Sequence, residues 1–326
     1  GWEAEEAVER ARGQVADLIG ADPREIVWTS GATESTNLAL KGAAQFYKGK
    51  GKHLITWKTE HKAVLDTMRE LERQGFEVTY LDVQEDGLVN LDAFKAALRP
   101  DTVLVSVLFV NNEIGVIQDV AAIGAICREN GTLLHVDAAQ ATGRVEIDVK
   151  NLPVDLMSMT AHKTYGPKGI GALWVRDGVK IAELIHGGGQ EGGLRSGTLS
   201  PALCAGFGAA AALSKARMEQ DFQHLAGLAS LARSILARWT LNGSETARWP
   251  GNLNLRLDGL NFPRLLSDCR QLAFSAGSAC GSGTGAPSRV LSAIGLEAKE
   301  ARNSIRLGFG RYTTRDEVET ACHAIE

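Results

Sequence analysis

Between residues 25 and 175, short β-branched runs alternate with amphipathic stretches, and that alternation leaves the chain few folds to choose from. Runs at 26–29, 53–56, 78–80, 103–109, 133–136, 156–159 and 171–175 read as strands, and helical spacing of apolar residues fills 35–47, 63–74 and 120–130 between them. A run such as Val103, Leu104, Val105 has no polar alternation, so both of its faces must be buried. Parallel strands need a crossover of about a dozen residues, which the intervening helices supply. The expectation is an α/β fold with a mostly parallel central sheet and helices on both faces.

A long helix follows over 213–239, with Met218, Phe222, Leu225, Ala229, Ala232 and Leu236 spaced by four and three on one face. The loop Asn242-Gly243-Ser244 and the break Pro250-Gly251 lead to a strand at 253–257. This pattern places a large domain at 1–215 and a smaller C-terminal α/β domain at 216–326. A length of 326 residues supports two such cores sharing a cleft.

Composition narrows the function. A formal net charge of -4 leaves no excess of Lys and Arg to neutralise phosphates, which argues against nucleic acid as the main partner. The longest apolar stretch, 201–213, falls short of the ~20 residues that a membrane-spanning helix needs, so no membrane segment is expected. Residues 1–12 are charged and helix-like, with no signal-peptide pattern; the sequence opens inside a helix, as a piece of a longer chain would. Cys127, Cys204, Cys269, Cys280 and Cys322 are odd in number, far apart and without a C-x-x-C pair. They suit neither a disulfide framework nor a resident metal site, and point to a reducing, cytoplasmic setting.

Ligands of open α/β sheets bind beyond the carboxyl ends of the strands, so the residues after each strand matter most. The first strand runs into Ser30-Gly31-Ala32-Thr33-Glu34 at the start of a helix, where free N–H groups and the dipole suit a phosphate. The plainer reading is a helix cap by Ser30 or Thr33. Later strands end at Thr59-Glu60-His61, at Asn111-Asn112-Glu113, at His135-Val136-Asp137 with Gln140 beyond, and at Thr160-Ala161-His162-Lys163. One His or Asp at a strand end is usually structural. Five polar ends on one sheet edge are hard to explain by packing.

Together they suit pyridoxal 5'-phosphate, which needs a phosphate cradle, an amine for its aldehyde, an acid for its ring nitrogen and an aromatic neighbour. Lys163 serves the aldehyde, Asp137 the ring nitrogen, His61 the stacking position, and Asn112 and Gln140 the ring hydroxyl. Lys168, in the turn Gly166-Pro167-Lys168-Gly169, is the competing lysine and reads as solvated.

At these residues the sequence closely resembles the cysteine desulfurases of iron–sulfur cluster assembly, the IscS/NifS type. The motifs are T-S-G-A-T-E-S-x-N (29–37), T-E-H-K-A-V-L-D (59–66), N-N-E-I-G-V-I-Q (111–118) and H-V-D-A-x-Q (135–140). They continue with H-K-x-Y-G-P-K-G-I-G-A-L (162–173), G-G-G-Q-E-x-G-x-R-S-G-T (187–198), S-x-G-S-A-C-x-S (275–282) and S-I-R-x-x-x-G-R-x-T (304–313). Their order along almost the whole chain matches the family. Its N-terminal L-D-x-x-A-T-T-P motif is not in this sequence, Gly192 stands where Arg is common, and Phe109 where some members have His.

The resemblance implies fold type I of pyridoxal-phosphate enzymes, a homodimer, and conversion of L-cysteine to L-alanine. It implies Lys163 as the Schiff-base lysine and base at Cα, Asp137 on the ring nitrogen and His61 over the ring. Ala32, Thr33, Thr160 and His162 would hold the phosphate, with Thr198 reaching the partner's. Arg306, with Asn112, would grip the substrate carboxylate, for which a guanidinium fork is well matched. Cys280 would take the sulfur as a persulfide and pass it to acceptor proteins such as an iron–sulfur scaffold or a tRNA-thiolation relay, with Cys280 as a transient cluster ligand. An unperturbed thiol is only roughly 3% ionised at neutral pH, so such a site must activate it. Residues 278–285 are small and without a bulky anchor, as a travelling thiol requires, whereas Cys127 lies in a run that reads as core. The alternatives are an aminotransferase, which would not need Cys280, a selenocysteine lyase on the same scaffold, or a non-catalytic binding or regulatory relative.

Overall fold

The protein, seen in a computed structural model, is described over residues 1–276 and 288–326. Two compact units make it up: residues 1–81, 91–109 and 119–218 form the first, and 82–90, 110–118 and 219–326 the second. The sequence places a division near 215, close to the Met218/Glu219 break. It gives no sign that 82–90 and 110–118, from the N-terminal half, pack with the C-terminal residues.

In chain order the first unit contains α1 (Trp2–Leu18), β1 (Ile26–Thr29), α2 (Ala32–Tyr47), β2 (His53–Trp57), α3 (Lys62–Arg73) and β3 (Glu77–Leu81). It continues with α4 (Leu91–Ala97), β4 (Thr102–Leu108), α5 (Val120–Asn130), β5 (Leu133–Asp137), β6 (Leu156–Thr160), β7 (Gly171–Val175) and the start of α6 (Pro201–Ile235). The seven strands lie in the order β1-β7-β6-β5-β4-β2-β3. Only β7 runs against its neighbours. The expected mostly parallel sheet is what forms.

Alternation along the strands divides the core between the two faces of the sheet. Val27, Leu54, Leu104, Leu156 and Leu173 pack with Leu38 and Ala39 of α2 and Val64 and Met68 of α3. On the other face Trp28 meets Phe207 of α6, and Trp57 meets Phe94 of α4. Helix α6 begins at Pro201, earlier than the expected 213. The stretch 201–213 is apolar all round, so it has no periodicity to reveal a helix, and Pro at a first helical position costs nothing. Among the described residues no helix is long and apolar enough to cross a membrane.

The second unit is built on an antiparallel sheet in the order β10-β11-β9-β8, formed by β8 (Thr240–Leu241), β9 (Asn252–Arg256), β10 (Ser275–Ala276) and β11 (Ser304–Gly308). Among the described residues, α7 (Phe262–Asp268), α8 (Arg289–Ala293), α9 (Ala298–Arg302) and α10 (Arg315–Ile325) also belong to it. Ile114 and Val116 pack with Val290, Leu291 and Ile294, and Val83 and Leu88 lie against this cluster. The Gln118 amide closes the arrangement, donating to Gly87 O at 2.7 Å and accepting from Val89 N at 3.0 Å. Burial of those apolar side chains draws 82–90 and 110–118 out of the first unit's chain order.

Candidate active site

At the carboxyl edge of the first unit's sheet a cavity of about 450 Å³ opens where β1, β5 and β6 end. Its wall includes residues 30–34, His61, Asp137, Thr160, His162 and Lys163. The strands bring these together through register: Thr29 and Thr160 both face Gly171, and Asp137 faces Leu108 on one side and Ser158 on the other. A Cβ on Gly171 would stand 2.5 Å from Met159 O and 2.6 Å from Gly31 Cα, so only glycine lets the three segments close up here.

Gly31 starts α2 with φ 152°, and no side chain caps the helix. The plainer expectation, a cap by Ser30 or Thr33, is therefore not met. Thr29 Oγ1 bonds Ser35 Oγ at 2.7 Å instead, which pins the first turn to β1. The uncapped N-terminus lines the cavity beside the hydroxyl of Thr160, which bonds His162 Nδ1 at 2.9 Å. Burial, together with the charges of Lys163 and Lys168, pushes His162 below the usual imidazole range, so it stays neutral at physiological pH. Such a set of donors matches an anion with several oxygens.

His61 caps α3, accepting the Ala63 N–H on Nδ1 at 3.1 Å, which puts the neutral ring's proton on Nε2. Asp137 is buried at the end of β5, and its Oδ1 accepts from Ala139 N at 3.0 Å. His135, two residues earlier, is a core residue: its ring nitrogens bond Ser106 and Ser158 hydroxyls at 2.8 Å each, and burial pushes it down to about 3. It fixes β5 between its neighbours and so places Asp137. Lys163 follows β6 in a single 3-10 turn, half-buried, and its carbonyl accepts from Arg144 Nη2 at 3.0 Å. Arg144 also donates to the side-chain oxygen of Gln140, which does not itself line the cavity.

The other expected residues lie elsewhere. Thr198 is exposed at the end of the Gly-rich loop 187–197. Asn112 and Arg306 belong to the second unit, where Arg306 Nη1 donates to Asn112 O at 2.9 Å. Cys280 lies outside the described residues. Lys168, read as solvated, is exposed and also lines the cavity. Among the described residues no group of His, Cys, Asp and Glu could hold a metal ion.

Glu60 belongs to the site's surroundings although only its sequence position hints at it. It is 2% exposed, its Oε1 accepts from Leu108 N at 2.9 Å, and its Oε2 has no hydrogen-bond partner among the described residues. Burial, opposed by the Leu108 N–H and reinforced by the Asp137 charge, holds it well above the usual carboxylate range. Glu60 therefore holds its proton more tightly in the fold than in the unfolded chain. Its stabilisation is complete below the unfolded pKa and is lost as pH rises toward the folded one, by about 1.4 kcal/mol per pH unit. Glu60→Gln removes this loss. Its urea midpoint should gain on the wild type from pH 5 to pH 7, and a constant gap would show that Glu60 is ionised in the fold.

Residues 1–320 match the family model described as aminotransferase class-V. The cysteine desulfurase IscS of Methylococcus capsulatus is 56% identical over 336 residues, covering 100% of this chain and 82% of that protein. That of Azotobacter vinelandii is 56% identical over 330 residues with the same coverage. Among solved structures, a NifS-like protein superposes with a TM-score of 0.93 at 35% identity, covering 100% of this chain and 88% of that one. SspA in complex with cysteine gives 0.84 at 38% identity, over 96% of this chain and 89% of that one.

Proposed function

The chain belongs to the class-V aminotransferase family, among the cysteine desulfurases of the IscS type, and from that premise we propose how its residues carry out the reaction. The substrate is L-cysteine, the products are L-alanine and a sulfur held as persulfide, and the sulfur feeds iron–sulfur cluster assembly. One observation carries the reading: a single cavity is lined by an amine, a buried acid, an imidazole and an uncapped helix end beside Thr160 and His162.

That donor set fits pyridoxal 5'-phosphate, which when bound supplies an electron sink for the bonds at the substrate's Cα. Thr33, Thr160, His162 and the N–H groups of α2 would hold its phosphate. Asp137, whose Oδ1 accepts from Ala139, would serve the ring nitrogen and favour its protonated form. His61, which lines the cavity, would stack on the ring. Lys163 would anchor the cofactor, and its Nζ would be the base that receives the substrate's Cα proton. Arg306, whose Nη1 donates to the Asn112 carbonyl, would hold the substrate carboxylate through its guanidinium fork.

The Cys280 thiolate then attacks the substrate sulfur: an S–S bond forms as the C–S bond breaks, Cβ gains a proton and alanine leaves. In the homodimer, Thr198 reaches the partner's phosphate. The test is to incubate the full chain with L-cysteine, pyridoxal phosphate and a thiol reductant. Alanine and sulfide are expected in equal amounts. A keto acid in place of alanine would make the chain an aminotransferase and defeat the reading.

A further inference from the structure

Two anions have claims on the N-terminal end of α2. Glu34 stands in its first turn and already accepts the Ser30 N–H on Oε2 at 2.7 Å, using the positive end of the helix. The same uncapped end lines the cavity and is where a phosphate would bind. A carboxylate within one turn of a bound phosphate repels it, and in a half-buried place the repulsion is on the order of tenfold in affinity.

Arg195 removes that conflict. It comes from the Gly-rich loop, 161 residues further along, and meets Glu34 with Nε to Oε1 at 2.7 Å and Nη2 to Oε2 at 3.3 Å. The two side chains are only 19% and 18% exposed. We infer that Arg195 is a positioning residue for the cofactor: it cancels the Glu34 charge, so that a phosphate dianion meets a neutral first turn. This inference rests on the cofactor reading above. Burial pushes the Glu34 carboxyl up, but Arg195 and the Ser30 N–H outweigh it and hold the group below its usual range, so the charge to be cancelled is present.

Two other roles for Arg195 fit less well. As a direct phosphate ligand it would need its fork free, yet Nε and Nη2 are taken by Glu34, and Nη1 lies 3.3 Å from where a Cβ on Gly197 would stand. As a loop anchor it is redundant. Glu191 takes a bidentate pair from Arg12 at 2.8 and 2.9 Å and the Trp28 N–H at 2.7 Å. Gly197 N donates to Gln190 Oε1 at 2.8 Å, and Gly189 N to Ser196 Oγ at 3.2 Å. None of these contacts involves Arg195.

The experiment strips the full chain of cofactor and titrates it with pyridoxal phosphate, inorganic phosphate and unphosphorylated pyridoxal, following protein fluorescence. R195A should weaken the two phosphate-bearing probes about tenfold and leave pyridoxal unchanged. The double variant E34Q/R195A should return to within about threefold of the wild type, since no charge is left to repel. A double variant as weak as R195A would make Arg195 a ligand or an anchor and overturn the inference, as would equal weakening of pyridoxal. Should R195A fail to fold, E34Q alone decides: phosphate must bind it at least as tightly as the wild type, and weaker binding is fatal. A wild-type chain that binds no pyridoxal phosphate defeats the cofactor reading itself, a result distinct from the others.

Discussion

Lys163→Ala is expected to leave no pyridoxyl adduct on the chain after borohydride reduction, and to lower turnover of L-cysteine by roughly three orders of magnitude or more. Lys168→Ala is expected to keep both the adduct and most of the turnover. Both lysines line the cavity, so the distinction rests on how each is held. Lys163 follows directly on β6 and its carbonyl is gripped by Arg144 Nη2. Two residues on, Tyr165 has φ 61°, a left-handed conformation that a bulky residue keeps only where its surroundings dictate it. The backbone carrying Lys163 is thus fixed from both sides, as a group that must meet a carbonyl carbon repeatedly needs to be. Lys168 is exposed in a turn. Peptide mass spectrometry after reduction settles the matter: an adduct on Lys168, or on any lysine other than Lys163, would overturn the site described here. Cofactor retained without an adduct by the Lys163→Ala chain would not, because the phosphate contacts remain.

The sheet was legible because its strands are apolar on both faces and its helices on one, and each strand end could be read to within a residue or two. The cavity followed from that, since ligand-binding residues after parallel strands fall on one edge whatever the helices do. What escaped was carried by contacts between distant positions. Residues 82–90 and 110–118 look like ordinary connections, and only the packing of Val83, Ile114 and Val116 with 290–294 assigns them to the second unit. Glu34 reads as a favourable first-turn acid, and nothing local to it points to Arg195. Glu60 reads as one more polar strand end; the upward push on its carboxyl depends on burial, which no spacing reveals. Helix α4 is too short for a periodicity to be seen.

Cys280→Ser should reduce alanine formation from L-cysteine at least a hundredfold while leaving cofactor binding intact, whereas Cys127→Ser should retain most of the turnover of the folded protein. Cys280 itself lies outside the described residues, so its neighbours in sequence and the other four cysteines decide the matter. Cys127, Cys204, Cys269 and Cys322 are all buried. Burial pushes Cys127 up to about 12 and Cys204 and Cys322 up to about 11, which keeps them thiols at any physiological pH. Cys269 donates its S–H to Ala324 O at 3.3 Å and is packed away from solvent. None of the four can supply a thiolate to a substrate and then surrender its sulfur to another protein. Cys280 stands in the sequence among the small residues Ser278, Ala279, Gly281 and Ser282. A hydroxyl in its place is a poor nucleophile toward sulfur at neutral pH and cannot hold a persulfide, so L-cysteine should still bind but its sulfur should not leave. The measurement is alanine released per folded chain, with and without a reductant, set beside the absorbance of bound cofactor. Undiminished alanine from the Cys280→Ser chain would mean that sulfur departs without a protein thiol, and the persulfide mechanism would have to be given up.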